Sequence, residues 1–566
     1  VPSNTLEHLL GQLDELKRRF DPISRAQILK ALAQLDARRF TNAISLIRFH
    51  EQLLFIRAYP QSAQVLRRVE KMLSAFIERV RVLNDAGADL SPLEEGEVSG
   101  ISGTSVQDTF SYSITRWLIK RYPSRVSVDW ESHEDEYRLA ATWPRFIPLL
   151  EEDALVEANV PYLTWLRAAK GRRERELSWL VEGFQRLPLS EKEKAELYES
   201  LKLPVRWELD NSRATRTLMK RGVQKVFYHT GPLLRRSDIS LAREFASPQI
   251  RLKKLSSSQG AAVLELARET STVRYRELYG FTHGDPRHVL HADIGRGVEV
   301  FMVGVPPEHR LPLRAYHAGL IFKNGVPVSY VEGLTLFERM EIGFNLYYTF
   351  REGESAWIYA RCLKIFRQML GVTVFSIDPY QLGYHNEEGI ESGAFWFYRK
   401  LGFRPVTEQL TKIMRTEERK LAARAFYRTH ARVLRQLSEG HMLLEIEPTA
   451  SGRWDNFQIR KVGLAVQRRM ASRFGGDALK IRRASEEWVA RALGVQTIAW
   501  KEHERRAFAD LALVLALIPG LARWTEDEKR EVVRIVRAKA GTDEARYVRL
   551  LQRHTKLRDE VIKIGS

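Results

Sequence analysis

Tyr398 sits in the run AFWFYRKLGF, residues 394–403, where one hydroxyl stands among aromatic and aliphatic side chains a turn before Gly402. A tyrosine so placed is either a core residue with a satisfied hydroxyl or a proton donor beside a reacting group. Upstream, FREGESAWIYA, residues 350–360, passes from an alternating apolar run into a helical one through Gly353. A glycine turn between strand and helix points unpaired backbone N–H groups, with the positive end of the helix dipole, at any anion lying there. Gly353 and Ser355 keep that approach clear; a plain turn with Ser355 as N-cap is the simpler alternative. Three carboxylates complete the set: Glu341 in RMEIGFNLYYTF (339–350), Glu332 in the preceding run, and Asp378 closing VTVFSID (372–378). A carboxylate on a central strand can take a proton from an amine directly or through water, and Glu341 is the first candidate.

A second group of titratable residues lies in YGFTHGDPRHVLHAD, residues 279–293. His283, His288 and His291 with Asp285 and Asp293 are of the types that suit zinc or iron, but their spacing fits no established ligand pattern. No metal is therefore expected there. The one cysteine, Cys362, rules out an intrachain disulfide and a Cys-based zinc cluster, which fits a reducing cytoplasm, and its helical setting reads as a buried small hydrophobe. There is no nucleophile elbow, HExxH, Walker loop or dinucleotide fingerprint.

The elements that must hold these residues follow from periodicity. Alternation over 341–348 puts Glu341, Gly343, Asn345 and Tyr347 on one strand face and Ile342, Phe344, Leu346 and Tyr348 on the other, a polar face and an apolar one. The stretch NEEGIESGAFWFYRKLG, 386–402, reads as one helix, capped by Asn386, with Glu387 and Glu388 at its positive end and Gly402 as its left-handed stop. Around it, QIRLKKLS, GVEVFMVGV, the two arms of YHAGLIFKNGVPVSYVEG and FRPV read as strands, and Asn324-Gly325 is a hairpin turn. Before residue 220 and beyond 410 apolar residues recur three and four apart, as in helices. The predicted architecture is α+β, with an all-α region at 1–220, a mixed α/β domain at 221–410 and a basic all-α domain at 411–566. The Gly, Ser and acid-rich segment 83–105 is expected to be a flexible loop.

With 566 residues and 44% hydrophobic content the chain has room for several cored domains. Its most apolar run, LALVLALI (511–518), is too short to cross a bilayer, so no membrane span is expected. No secretory signal is visible, and the location expected is cytoplasmic; a start at Val1 leaves a removed leader open. Net charge is +19, and from residue 407 onward 33 Lys plus Arg stand against 21 Asp plus Glu, a difference of +12. Those charges are spread along helices such as FQIRKVGLAVQRRMASRF, which suits a solvated face or a surface for nucleic acid or an acidic partner.

Residues 248–407 resemble a GCN5-related N-acetyltransferase (GNAT) domain. AFWFYRKLGF is similar to that family's last conserved helix, keeping its spacing at Ala394, Tyr398, Leu401, Gly402 and Phe403, and FREGESAWIYA is similar to its acyl-CoA phosphate loop. Aligning Gly353 puts Phe350 at the family's basic position and Arg351 one place late. The resemblance implies acyl-CoA or acetyl-CoA as co-substrate, held by Phe350, Arg351, Gly353, Glu354, Ser355 and Ala356. It further implies transfer to an amine, Tyr398 as the acid that protonates the leaving thiolate, and Glu341 as proton acceptor. His283, Asp285, Asn345 and Asp378 would line the acceptor side. A carrier protein or an aminoacyl-tRNA as donor, and a helical scaffold with a degenerate acyltransferase domain that holds RNA or an acidic protein, are the alternatives.

Overall fold

Helices that supply their own caps fill the start of the chain. Thr5, Asp21, Asn42 and Ser62 each turn a side-chain oxygen onto a first-turn N–H of the helix that follows. The structure, a computed structural model, describes residues 5–134, 137–145, 147–148, 162–172, 175–447 and 452–566. With helices at both ends and sheet in the middle it is an α+β protein. Its contacts divide it into two units, one of residues 1–232, 262–282 and 323–327, the other of 233–261, 283–322 and 328–566.

The first unit corrects the all-α expectation for residues 1–220. Strands β1 (Ser105–Asp108), β2 (Val126–Val128) and β3 (Val205–Glu208) form an antiparallel sheet in the order β1-β3-β2. Val106, Val126, Val205 and Trp207 are buried on it, in one core with Tyr112, Trp143, Phe184 and Tyr198. Runs of three or four residues are too short for alternation to stand out against a helical background. The expected flexible segment is also corrected over its second half. Ser99, Gly100, Ile101 and Ser102 are buried, the Ser99 hydroxyl donates to the Val273 carbonyl at 2.7 Å, and the Ser102 N–H donates to Thr217 Oγ1 at 2.9 Å. Small polar residues there close a packed turn.

The second unit holds a nine-stranded sheet: β4 (Lys253–Lys254), β5 (Val289–Gly295), β6 (Val298–Gly304), β7 (Ala315–Lys323), β8 (Val326–Leu336), β9 (Arg339–Leu346), β10 (Val374–Ile377), β11 (Arg404–Pro405) and β12 (Met442–Glu445), ordered β11-β12-β10-β9-β8-β7-β6-β5-β4. β9 and β10 run parallel, as a strand, crossover helix and strand require; the crossover is the helix Ser355–Leu370. Asn324 and Gly325 both have positive φ at the β7–β8 turn, as expected of a tight hairpin.

Strand β12 overturns the reading of 411–566 as a separate all-α domain. It lies antiparallel between β10 and β11, pairing Phe375 with Leu444 and Arg404 with Leu443. The C-terminal helices join the same unit, where the buried pair Lys539–Glu544, at 2.6 Å, places Glu544 to accept the Tyr316 N–H of β7. A four-residue strand between helices gave no periodic signal. The single helix expected over 386–402 is two, Glu387–Glu391 and Ala394–Arg399, because Gly393 takes φ 66°, ψ 37° and turns the chain between them. Asn386 caps the first and Gly402 has φ 107°, as expected.

Candidate functional site

The site starts from a break in the sheet. β9 and β10 pair over only three positions, Arg339 with Val374, Met340 with Phe375 and Glu341 with Ser376. β9 continues to Leu346, paired with β8 all the way. Residues 342–346 therefore run on with no β10 partner on their other edge, and the two strands part there. Backbone amide groups on such an edge need partners, and an extended, amide-bearing ligand can supply them in place of water.

Directly beyond β9 come the single turn Tyr348–Phe350, Arg351, Glu352 and Gly353, and then the helix from Ser355. In the expected phosphate loop the geometry departs from the expectation at three places. The Gly353 N–H is already given to the Phe350 carbonyl at 2.9 Å, so it does not face an anion. Arg351 is turned onto Glu388. Glu354, not Ser355, is the N-cap; its carboxylate is wholly buried and accepts from the Leu234 N–H at 3.2 Å and from Arg296 Nε at 2.9 Å. Phe350 is buried as well. What remains for an anion is the first helical turn, Ser355, Ala356 and Trp357, whose N–H groups have no carbonyl a turn earlier in the helix.

Tyr398 lies on the helix Ala394–Arg399, 3% exposed, with its ring 5.7 Å from Tyr359 and 5.6 Å from Phe403. Tyr359 in turn lies 4.9 Å from Phe344, on the parted part of β9. Burial pushes the Tyr398 hydroxyl well above its ordinary pKa, so it stays protonated. Among the described residues nothing hydrogen-bonds that hydroxyl.

The opposite face of β9 is the polar one, as alternation requires. Glu332 on β8 lies across from Gly343 and Tyr330 across from Asn345, both beyond the parting point. Gly343 has no side chain to cover Glu332; a Cβ there would lie 3.7 Å from the Gln381 amide. Burial raises the Glu332 pKa, against a hydrogen bond from the Tyr316 hydroxyl that lowers it. Glu341 is paired with Arg314 at 3.1 Å. Beside it Asp378 caps the short helix Pro379–Leu382 through the Tyr380 N–H, and His441, immediately before β12, comes within 3.5 Å of Asp378. Glu341, Asp378 and His441 present ligand atoms all within 4.8 Å of one another, the only His, Cys, Asp and Glu group so close among the described residues. The Asp378 pKa is lowered: burial raises it, but His441 and the Tyr380 N–H outweigh that.

The histidine-rich segment is gathered elsewhere. Asp285 is 2% exposed and is held by Arg287 and His288; His291 pairs with Glu299; the His283 ring stacks on His309 at 4.1 Å. Asp285 meets the end of β6 through its N–H bond to Gly304, and β6 is three strands from β9, about 14 Å at 4.8 Å per strand. His283 and Asp285 are thus not brought to the parted strands, whereas Asn345 and Asp378 are. Cys362 is buried, as expected. Sequence reasoning missed His441, Arg314 and Tyr316. The last two alternate along the run into β7, a signal available only once β7 is known to sit beside β8; His441 needed the position of β12. Comparison with family models, with curated proteins and with solved structures finds no match.

Proposed function

We propose that the second unit is an N-acyltransferase that takes an acyl group from acyl-CoA and passes it to an amine by direct attack. The observation that carries this reading is the parting of β9 from β10 after Glu341 and Ser376. It leaves a strand edge able to pair with the two amides of a pantetheine arm, next to a helix start that can take the diphosphate. The order of elements supports it too: antiparallel strands, crossover helix, parallel strand, helix and a final strand pair whose last member lies inside. In this reading the amine nitrogen attacks the thioester carbonyl, the C–S bond breaks, and the thiolate takes the Tyr398 proton. The proton lost by the attacking nitrogen goes to Glu332, which moves the base from Glu341, held by Arg314, to the carboxylate facing Gly343. Such proton transfers contribute about 10²-fold to 10⁴-fold each.

The buried Glu354 carboxylate beside the helix start favours a second reading. A carboxylate paired with Arg296 already sits at that helix start and leaves less room and less positive potential for a diphosphate, as in a scaffold whose acyltransferase-like unit no longer binds CoA and whose basic helices hold RNA or an acidic protein. The two separate on CoA binding. At about 100 times its dissociation constant CoA stabilises the native state by roughly 2.7 kcal/mol, which raises the melting temperature of the unit that binds it by about 5–10 °C. Acetyl-CoA should do the same, and Ser355→Glu, which adds charge and bulk at the first helical turn, should abolish the shift. Folded protein that shows no shift at millimolar CoA, and that binds immobilised RNA in a salt-sensitive way, would establish the second reading instead.

A further inference from the structure

We infer that Glu341, Asp378 and His441 form a binding site for one divalent transition-metal ion, of the zinc or manganese class, at the point where β9 and β10 part. The three side chains come from three separate pieces of chain: the last paired residue of β9, the residue just beyond β10, and the residue just before β12. Each is partly buried, with side-chain exposures of 24%, 39% and 20%. They are not neighbours in sequence, so no local turn explains why they converge; the sheet order β12-β10-β9 does.

The one close pair is spaced as ligands about an ion are, and Glu341 brings an oxygen within 4.8 Å of both. His441 Nε2 and Asp378 Oδ2 are 3.5 Å apart, longer than the usual 2.7–3.2 Å of a hydrogen bond. Two ligands each about 2.0–2.1 Å from a tetrahedral ion lie roughly 3.3–3.4 Å from one another. The outer contacts fit as well. Asp378 Oδ1 is fixed by the Tyr380 N–H at 2.9 Å, and Glu341 Oε1 by Arg314 at 3.1 Å. Each carboxylate therefore has one oxygen oriented by a donor and the other available, the arrangement in which outer partners hold metal ligands in place. Two carboxylates match the charge of a divalent ion, and imidazole with carboxylate suits zinc, manganese or iron over calcium or magnesium.

Three protein ligands leave at least one position on the ion open to water or to a ligand atom, the form that metal sites take when they bind or activate something rather than only hold a fold. By register Glu341 lies on the polar face of β9, the face of Glu332 and Asn345. A nitrogen or oxygen nucleophile held there would approach the parted strands from the face opposite Tyr398. The ion site itself does not rest on acyl transfer, and its test does not use activity.

The test is metal binding by the full chain, stripped with chelator and titrated with Zn²⁺, and with Co²⁺ as a spectroscopic probe. One Zn²⁺ per chain is expected by calorimetry, with a rise in melting temperature of about 5–10 °C at 100-fold excess over the dissociation constant. Bound Co²⁺ should show the visible absorption of a four- or five-coordinate ion. Loss of an outer partner typically weakens a metal site by about 10–100-fold, so His441→Ala and Glu341→Gln, each shown to be folded by its circular dichroism, should weaken binding by at least about 100-fold. His503→Ala, in the helix Glu502–Leu515 and outside the group of three, should leave it unchanged. No stoichiometric binding at 100 µM Zn²⁺, or binding that His441→Ala and Glu341→Gln both leave intact, would overturn the site. CoA binding by the same variants would remain a separate question with a separate answer.

Discussion

Ser376 lies opposite Glu341 as the last paired position between β10 and β9, and everything proposed for this protein is arranged about that pair. Up to it β9 is paired on both edges; beyond it β9 runs on paired with β8 alone. Tyr398 reaches the open stretch by way of Tyr359 and Phe344 on one face, and Glu332, Asp378 and His441 border it on the other.

Tyr398→Phe removes a hydroxyl that makes no hydrogen bond among the described residues, so its stability should match the parent within about 0.5 kcal/mol. Turnover should fall by about 10²-fold or more, read as free thiol released from acetyl-CoA in the presence of an amine panel. Unfolding of the variant with unchanged turnover per folded molecule would make Tyr398 a core residue.

Glu332→Gln tests the buried carboxylate. The folded-state pKa of Glu332 is raised, so the native state holds its proton more tightly than the unfolded chain does. The stabilisation this gives is complete below the ordinary carboxylate pKa of about 4.3 and is lost as pH rises through the raised value. Glutamine stays neutral throughout. Relative to the parent, Glu332→Gln should therefore gain melting temperature at pH 7–8 and gain nothing at pH 4, while turnover falls. Equal effects at both pH values would show that the carboxylate ionises as freely folded as unfolded.

Gly100→Ala probes the packed turn of the first unit. A Cβ at Gly100 would meet Val273 Cβ and the Val273 carbonyl oxygen at 2.9 Å each, at a φ of +89°. Overpacking and backbone strain together should cost about 2–4 kcal/mol in urea unfolding. Gly87→Ala, at φ +71° with nothing within 4 Å, should cost only about 1 kcal/mol. Equal costs would mean that the turn is as loose as its composition suggests.

Glu544→Ala strands Lys539, whose side chain is 3% exposed, and frees the Tyr316 N–H. The expected loss is about 3–5 kcal/mol, whereas Lys539→Met with Glu544→Leu should recover much of it, since an apolar pair avoids the cost of burying charge. Limited proteolysis should then release the C-terminal helices from the single variant before the double one. Unaltered stability in Glu544→Ala would show that these helices do not depend on this pair.

By itself the sequence determined what local physics controls. Alternation set the two faces of β9, Asn324-Gly325 set the β7–β8 hairpin, and Asn386 and Gly402 set helix ends, while the hydroxyl of Tyr398 among hydrophobes left two roles open. Tertiary structure decided what depends on which strand lies beside which. Four residues at 442–445 carry no period of their own, yet their place between β10 and β11 brings His441 to Asp378 and Glu341. The three-residue length of the β9–β10 pairing, the burial of Glu354 against Arg296 and the closure of Gly353 onto Phe350 are likewise outcomes of packing, because each fixes a group by a partner that is remote in sequence or by a turn whose hydrogen bonds composition does not specify.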